Sequence, residues 1–163
     1  MAITKVTSAL LNSTALTSKA FGTSSIMIGD DSTGTIDAAN YNTGLGVDVF
    51  AALTTGDNNL AIGYAALTAN TTGASNVAVG SSALDANTTA SFNTAIGEAS
   101  LSANTTGASN TAVGNGALYT NTTASNNTAV GKYALLYNTT GHSNVAVGKD
   151  ALASNTPANY NVA

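Results

Sequence analysis

Few residues in this chain could do chemistry, and their spacing does not gather them. His142 is the single histidine. It falls in a turn-like segment, Thr139-Thr140-Gly141-His142, where equivalent segments carry Ala or Ser. A metal ion needs several converging ligands, so His142 reads as a solvated turn residue. The acidic residues Asp30, Asp31, Asp48, Glu98 and Asp150 are scattered and read as solubilising groups on outward turns. Asp30 and Asp31 together could hold a cation only weakly. No Ser/His/Asp set recurs, and nucleophilic catalysis needs a base within reach of its nucleophile. The chain has no cysteine, which removes thiolate chemistry and disulfides. The expectation is a protein that is not an enzyme, with no catalytic residue, no metal and no cofactor. Tyr64, Tyr119, Tyr133, Tyr137 and Tyr160 share no single column. Aromatic side chains that vary over a constant frame suit a sugar-binding surface, and drift on an exposed face produces the same pattern. Both readings stay open. The Asn-Thr-Thr triplets match the glycosylation sequon but read here as turns.

These residues ride on a repeat. Gly29, Gly46, Gly63, Gly80, Gly97, Gly114, Gly131 and Gly148 are 17 residues apart. Asn42, Asn59, Asn76, Asn93, Asn110, Asn127, Asn144 and Asn161 keep the same step, as do Asn70, Asn87, Asn104, Asn121, Asn138 and Asn155. A further column runs Leu67, Leu84, Leu101, Leu118, Leu135 and Leu152, with Phe50 one coil earlier. Self-similarity at fixed period marks a solenoid. Numbered from its first Asn, the unit reads Asn, variable, Ala, Ile or Val, Gly, two variable, Ala, Leu, two variable, Asn, Thr, Thr, Gly or Ala, then two small or polar residues.

Alternating β-branched residues at positions 2 and 4 predict a short strand with those two positions on one face. Gly at position 5 ends it at a bend. Ala and Leu at positions 8 and 9 predict a second short strand, and Asn-Thr-Thr-Gly supplies the return turn. The expected fold is all-β, a parallel β-solenoid or β-roll of 17-residue coils over 25–163, about eight repeats. Its predicted core is Ile62, Val79, Ile96, Val113, Val130 and Val147 with Leu67, Leu84, Leu101, Leu118, Leu135 and Leu152. Asn59, Asn76, Asn93, Asn110, Asn127 and Asn144 form a predicted structural ladder, with Gly63, Gly80, Gly97, Gly114, Gly131 and Gly148 at the bends. Stacked parallel coils bring equivalent amides about 4.8 Å apart. Asn also tolerates left-handed backbone, which is a second reason for its presence. Two dependable large apolar side chains per coil are a thin supply. The expectation is therefore a parallel homotrimer whose chains share one interior, in preference to a monomeric three-sided solenoid.

Composition narrows the partners. Charged residues make up 7%, Lys occurs only at 5, 19, 132 and 149, Arg is absent, and the net charge is −4. No basic stripe exists to neutralise phosphates, so no nucleic-acid partner is expected. No stretch nears the roughly 20 apolar residues of a spanning helix, so no membrane insertion is expected. Residues 1–24 depart from the repeat, and their apolar run is too interrupted for a signal-peptide core. They are expected to attach the chain to another body or to cap the first coil.

The units Asn-Val-Ala-Val-Gly at 76–80 and 144–148, and Asn-Thr-Ala-Val-Gly at 110–114 and 127–131, resemble the head repeats of trimeric autotransporter adhesins, the YadA-like heads. The fuller unit from Asn110 to Asn126 is similar to repeats of bacteriophage tail-fibre proteins. The resemblance covers about 25–163 and implies a left-handed, trimeric β-roll. The unit here is longer than the usual adhesin head unit, and the expectation is a protein without an autotransporter's stalk and anchor. The opening Met1-Ala2-Ile3-Thr4-Lys5 segment resembles the short virion-attachment ends of phage fibres. The resemblance therefore implies a structural fibre of a phage virion, on tail or capsid. Such a fibre would be made in the host cytoplasm without a signal peptide and bound to other virion proteins through 1–24. It would project toward a host-surface glycan or protein. A bacterial surface adhesin or extracellular filament is the alternative. An ice-binding solenoid is a remote one, suggested by the column Thr71, Thr88, Thr105, Thr122 and Thr139.

Overall fold

A computed structural model describes residues 39–163 and, before them, only the backbone of two strands at Thr17–Lys19 and Ile26–Gly29. The segment expected to attach or cap, 1–24, and the pair Asp30–Asp31 otherwise lie outside the described residues. One sheet of nine strands runs in chain order, from β1 (Thr17–Lys19) and β2 (Ile26–Gly29) through β3 (Thr43–Gly46), β4 (Leu60–Ile62), β5 (Val77–Val79) and β6 (Thr94–Ile96). It continues through β7 (Thr111–Val113) and β8 (Thr128–Val130) to β9 (Val145–Val147). β1 pairs antiparallel with β2, and every later pair is parallel. The register steps by one repeat, Leu60 opposite Val77, Val77 opposite Thr94 and Thr94 opposite Thr111. The chain is an all-β solenoid of 17-residue coils.

Each coil carries one strand, over positions 2–4. The second strand expected at positions 8 and 9 is absent. Positions 6–11 form a continuous run of turns. The physical reason lies in the backbone. Positions 7, 9 and 17 adopt left-handed φ in coil after coil, as in Ala99 (54°), Leu101 (51°) and Ser109 (59°). An extended strand cannot contain left-handed residues at alternate positions. The turns nevertheless stack as a ladder: Leu84 N donates to Ser100 O at 3.1 Å, Ala86 N to Ser102 O at 3.2 Å and Thr88 N to Thr105 O at 3.2 Å. Coil-to-coil bonding thus continues beyond the strand, which satisfies backbone groups that a turn would otherwise leave to water.

The interior belongs to one chain. It is lined by Ala at position 3 (Ala61, Ala78, Ala95, Ala112, Ala129, Ala146) and by Leu67, Leu84, Leu101, Leu118 and Leu135, all fully buried. Phe50, Val49 and Leu53 fill the first described coil. Leu152 is half-buried against this cluster. The predicted faces of the strand are inverted. Ile62, Val79 and Val113 are only partly buried, and Ile96, Val130 and Val147 are exposed, at 41% for Ile96 and 61% for Val147. Position 3 faces inward, and positions 2 and 4 face out. The interior must hold two asparagines and one leucine per coil, and the side chain left room opposite them is a methyl group. The single chain encloses this core with its own side chains, and the strip at positions 2 and 4 lies outside it.

Gly97 shows why position 5 is glycine. Its φ is 132°, and a Cβ there would lie 2.6 Å from the Gly114 carbonyl carbon of the next coil. Backbone conformation and close approach both exclude a side chain at that point.

Candidate functional site

Two Asn columns organise the interior, and neither adopts left-handed backbone. In the position-1 column each Oδ1 accepts the backbone N–H of the next Asn, as Asn93 Oδ1 does from Asn110 N at 2.9 Å and Asn110 Oδ1 from Asn127 N at 3.0 Å. In the position-12 column the amides bond one another. Asn104 Nδ2 donates to Asn87 Oδ1 at 3.0 Å, and Asn121 Nδ2 to Asn104 Oδ1 at 3.0 Å. Both columns converge on the carbonyl at position 15. Gly107 O accepts Asn93 Nδ2 and Asn104 Nδ2, each at 2.9 Å. Among the described residues, no buried side-chain nitrogen or oxygen lacks a partner. The Asn of each Asn-Thr-Thr triplet from Asn70 to Asn138 is fully buried, so these asparagines offer no accessible amide for glycan attachment.

The Thr column is also engaged. Thr71 Oγ1 donates to Thr88 O at 3.0 Å, and Thr88 Oγ1 to Thr105 O at 3.2 Å. Their hydroxyl protons are directed along the stack, and a regular array of outward donors for ice is correspondingly weakened.

Two surfaces carry unspent apolar area. The first is the outward strip of the sheet, running from Leu45 through Ile62, Val79, Ile96, Val113 and Val130 to Val147. An exposed contiguous apolar patch on a soluble domain marks an interaction site. The second is a groove of about 450 Å³ on the turn face, lined by Ala99, Asn115, Gly116, Tyr119, Tyr133, Leu136 and Tyr137. Lys132 Nζ lies 4.7 Å from the centroid of the Tyr133 ring. Asn115 Nδ2 donates to Glu98 Oε2 at 3.2 Å and to Glu98 O at 3.3 Å.

The fold therefore brings together three of the tyrosines that share no column, Tyr119, Tyr133 and Tyr137, and leaves Tyr64 and Tyr160 elsewhere. Their grouping needs the repeat wrapped as a lattice. Tyr119 is at position 10 and Tyr137 at position 11 one coil later, while Gly116 and Tyr133 are successive members of position 7. His142 sits edge-on to Tyr160, with centroids 5.2 Å apart at 88°, and its backbone N–H donates to Asn159 Oδ1 at 2.8 Å. Lys149 pairs with exposed Asp150, whose hydrogen bond and charge raise the lysine pKa above its usual value. Among the described residues, no group of three His, Cys, Asp or Glu side chains is placed to hold a metal ion, and no helix is long and apolar enough to cross a membrane. Comparison of the chain with protein-family models, curated proteins and solved structures finds no match to any of them.

Proposed function

We propose that this chain is a structural fibre protein of a phage virion, a tail or capsid fibre, that assembles as a parallel homotrimer and adheres to the host surface. The observation that carries the reading is the outward strip of positions 2 and 4 on a frame bonded from coil to coil. Position 4 holds Ile or Val from Ile62 to Val147 without interruption. The single chain's own core does not use this strip, and a self-complementary contact along the rod would bury it. Stacked coils also suit a spacer. Seven parallel strands from β3 to β9, at about 4.8 Å each, span roughly 29 Å of rod. The repeat's likeness to phage fibre units favours a virion over a cell-surface filament, and residues 1–24, outside the repeat, are the proposed docking end for other virion proteins.

A mass-spectrometric census of purified virions tests the location, and sedimentation of the purified chain tests the assembly. The expected particle has about three times the 15.9 kDa chain mass. Deleting residues 1–24 should leave the trimer intact and abolish incorporation. A stable monomer refutes the trimer, and incorporation of the truncated chain refutes the anchor. Recovery of the chain on bacterial surfaces would favour the adhesin or filament reading. Thermal hysteresis, which a fibre lacks, would favour ice binding.

A further inference from the structure

We propose that Tyr119, Tyr133 and Tyr137, with the Asn115 amide and the Glu98 carboxylate at their edge, form a binding groove for a neutral saccharide. The proposal deepens the adhesive reading above and rests on it for the groove's biological role.

The frame does not call for these aromatics. At positions 7, 10 and 11 the two preceding coils carry Ser82, Asp85 and Ala86, then Ala99, Ser102 and Ala103. Those coils stack in the same register with the same turn bonds. Tyr119 and Tyr137 are 44% and 53% exposed, so neither is spent on the interior.

Gly116 supplies an independent observation. Its φ is +64°, which suggests a glycine held for its backbone freedom. Yet the equivalent residues Ala65 and Ala99 adopt φ 54° with side chains, so the backbone at this position accepts a Cβ. The obstacle is a ring. A Cβ on Gly116 would lie 2.7 Å from Tyr133 Cδ1 and 2.8 Å from Cε1. The missing side chain is the space that Tyr133 occupies, and Lys132 lies against that ring as well. Tyr133 is therefore seated before any ligand arrives, which lowers the ordering cost of binding.

The chemistry fits a sugar. A pyranose has an apolar C–H face and a rim of hydroxyls. Aromatic rings take the face, and the Asn115 amide oxygen beside the Glu98 carboxylate offers acceptors to neighbouring hydroxyls. The groove's 450 Å³ is in the range of small-ligand sites, while a protein partner would need a far wider contact. Glu98 and Lys132 bring one charge of each sign, which favours a neutral ring over an anionic one.

The test is isothermal titration of the purified full chain with three probes: gluco-, manno- and galacto-oligosaccharides. The wild type should bind at least one of them saturably. Tyr119→Ala and Tyr137→Ala should each weaken that binding about tenfold. Gly116→Ala should keep the wild-type circular dichroism spectrum and weaken binding to a similar degree, because it unseats Tyr133. Tyr64→Ala, outside the groove, should bind as the wild type does. Absence of saturable binding to all three probes overturns the proposal. So does unchanged binding in any of the three groove variants, or an equal loss in Tyr64→Ala. Sugar binding by a chain that virions lack would keep the groove and remove the fibre. A virion-borne chain that binds none of the probes would do the reverse.

Discussion

From coil to coil the interior runs Asn87, Asn104, Asn121 and Asn138, while position 7 of the outer turns runs Ser82, Ala99, Gly116, Tyr133 and Asp150. The two regions share one backbone and obey different constraints. Inside, each amide must meet the identical amide of its neighbour and a carbonyl at position 15. Substituting one member strands groups on both sides. Outside, the backbone bonds stack whatever the side chain is, so the position is free to carry function. In this fold constancy marks what holds the rod together, and departure from constancy marks where to look for a ligand. The strip at positions 2 and 4 falls between these cases, with Val, Ile and Thr alternating on a face that one chain leaves in water.

The sharpest way to break this contrast is to charge the interior. Leu101→Asp would place a carboxylate where the leucine is 0% exposed. It should cost more than about 4 kcal/mol and abolish the folded state, as read by circular dichroism and thermal melting. Asn104→Ala comes next. It removes donations to Asn87 Oδ1 and Gly107 O and the acceptor for Asn121 Nδ2. The loss should be about 2–4 kcal/mol in chemical denaturation, since buried partners go unsatisfied. Ile96→Asp sharpens the role of the strip. On an outward residue it should cost the single chain under about 1 kcal/mol and yet abolish the proposed trimer in sedimentation. If it instead melts the isolated chain as Leu101→Asp does, the faces assigned to the strand are wrong. Glu98→Lys should be the smallest, within about 0.5 kcal/mol, because that side chain is exposed. A larger loss would show that the turn face is not free of the frame.

The repeat, its parallel stacking and the strand at positions 2–4 were legible, because the period appears in four columns and β-branched residues flank one Ala. The strand's facing was not. Val and Ile normally mark the inward side of an alternating strand, but here Ala95 goes in and Ile96 goes out. A narrow coil selects for volume before hydrophobicity. The turn run at positions 6–11 was hidden for a different reason. Leu101 and Leu118 adopt φ of 51° and 53°, a conformation that costs an ordinary residue about 1–2 kcal/mol and that Leu does not announce. Stacking bonds and burial over-determine it, and neither can be seen in a single unit. The groove escaped because its tyrosines align only when the chain is wrapped. Gly116 then looks like turn chemistry until Tyr133 is placed over it.

The Asn ladder has a consequence for how such a chain changes over generations. Each coil presents upward the same acceptor that it meets below, so any coil can follow any other. Gene slippage or recombination that adds or removes whole repeats would leave every amide with a partner, and the rod would lengthen or shorten without passing through a misfolded intermediate. The aromatic groove has no such freedom, because it is divided between neighbouring coils. A whole-repeat insertion between Asn126 and Asn127 would preserve the frame while separating Gly116 from Tyr133 and Tyr119 from Tyr137. Length and recognition are thus separately heritable properties of one repeat, the first open to copy number and the second confined to the two junctions among three successive coils.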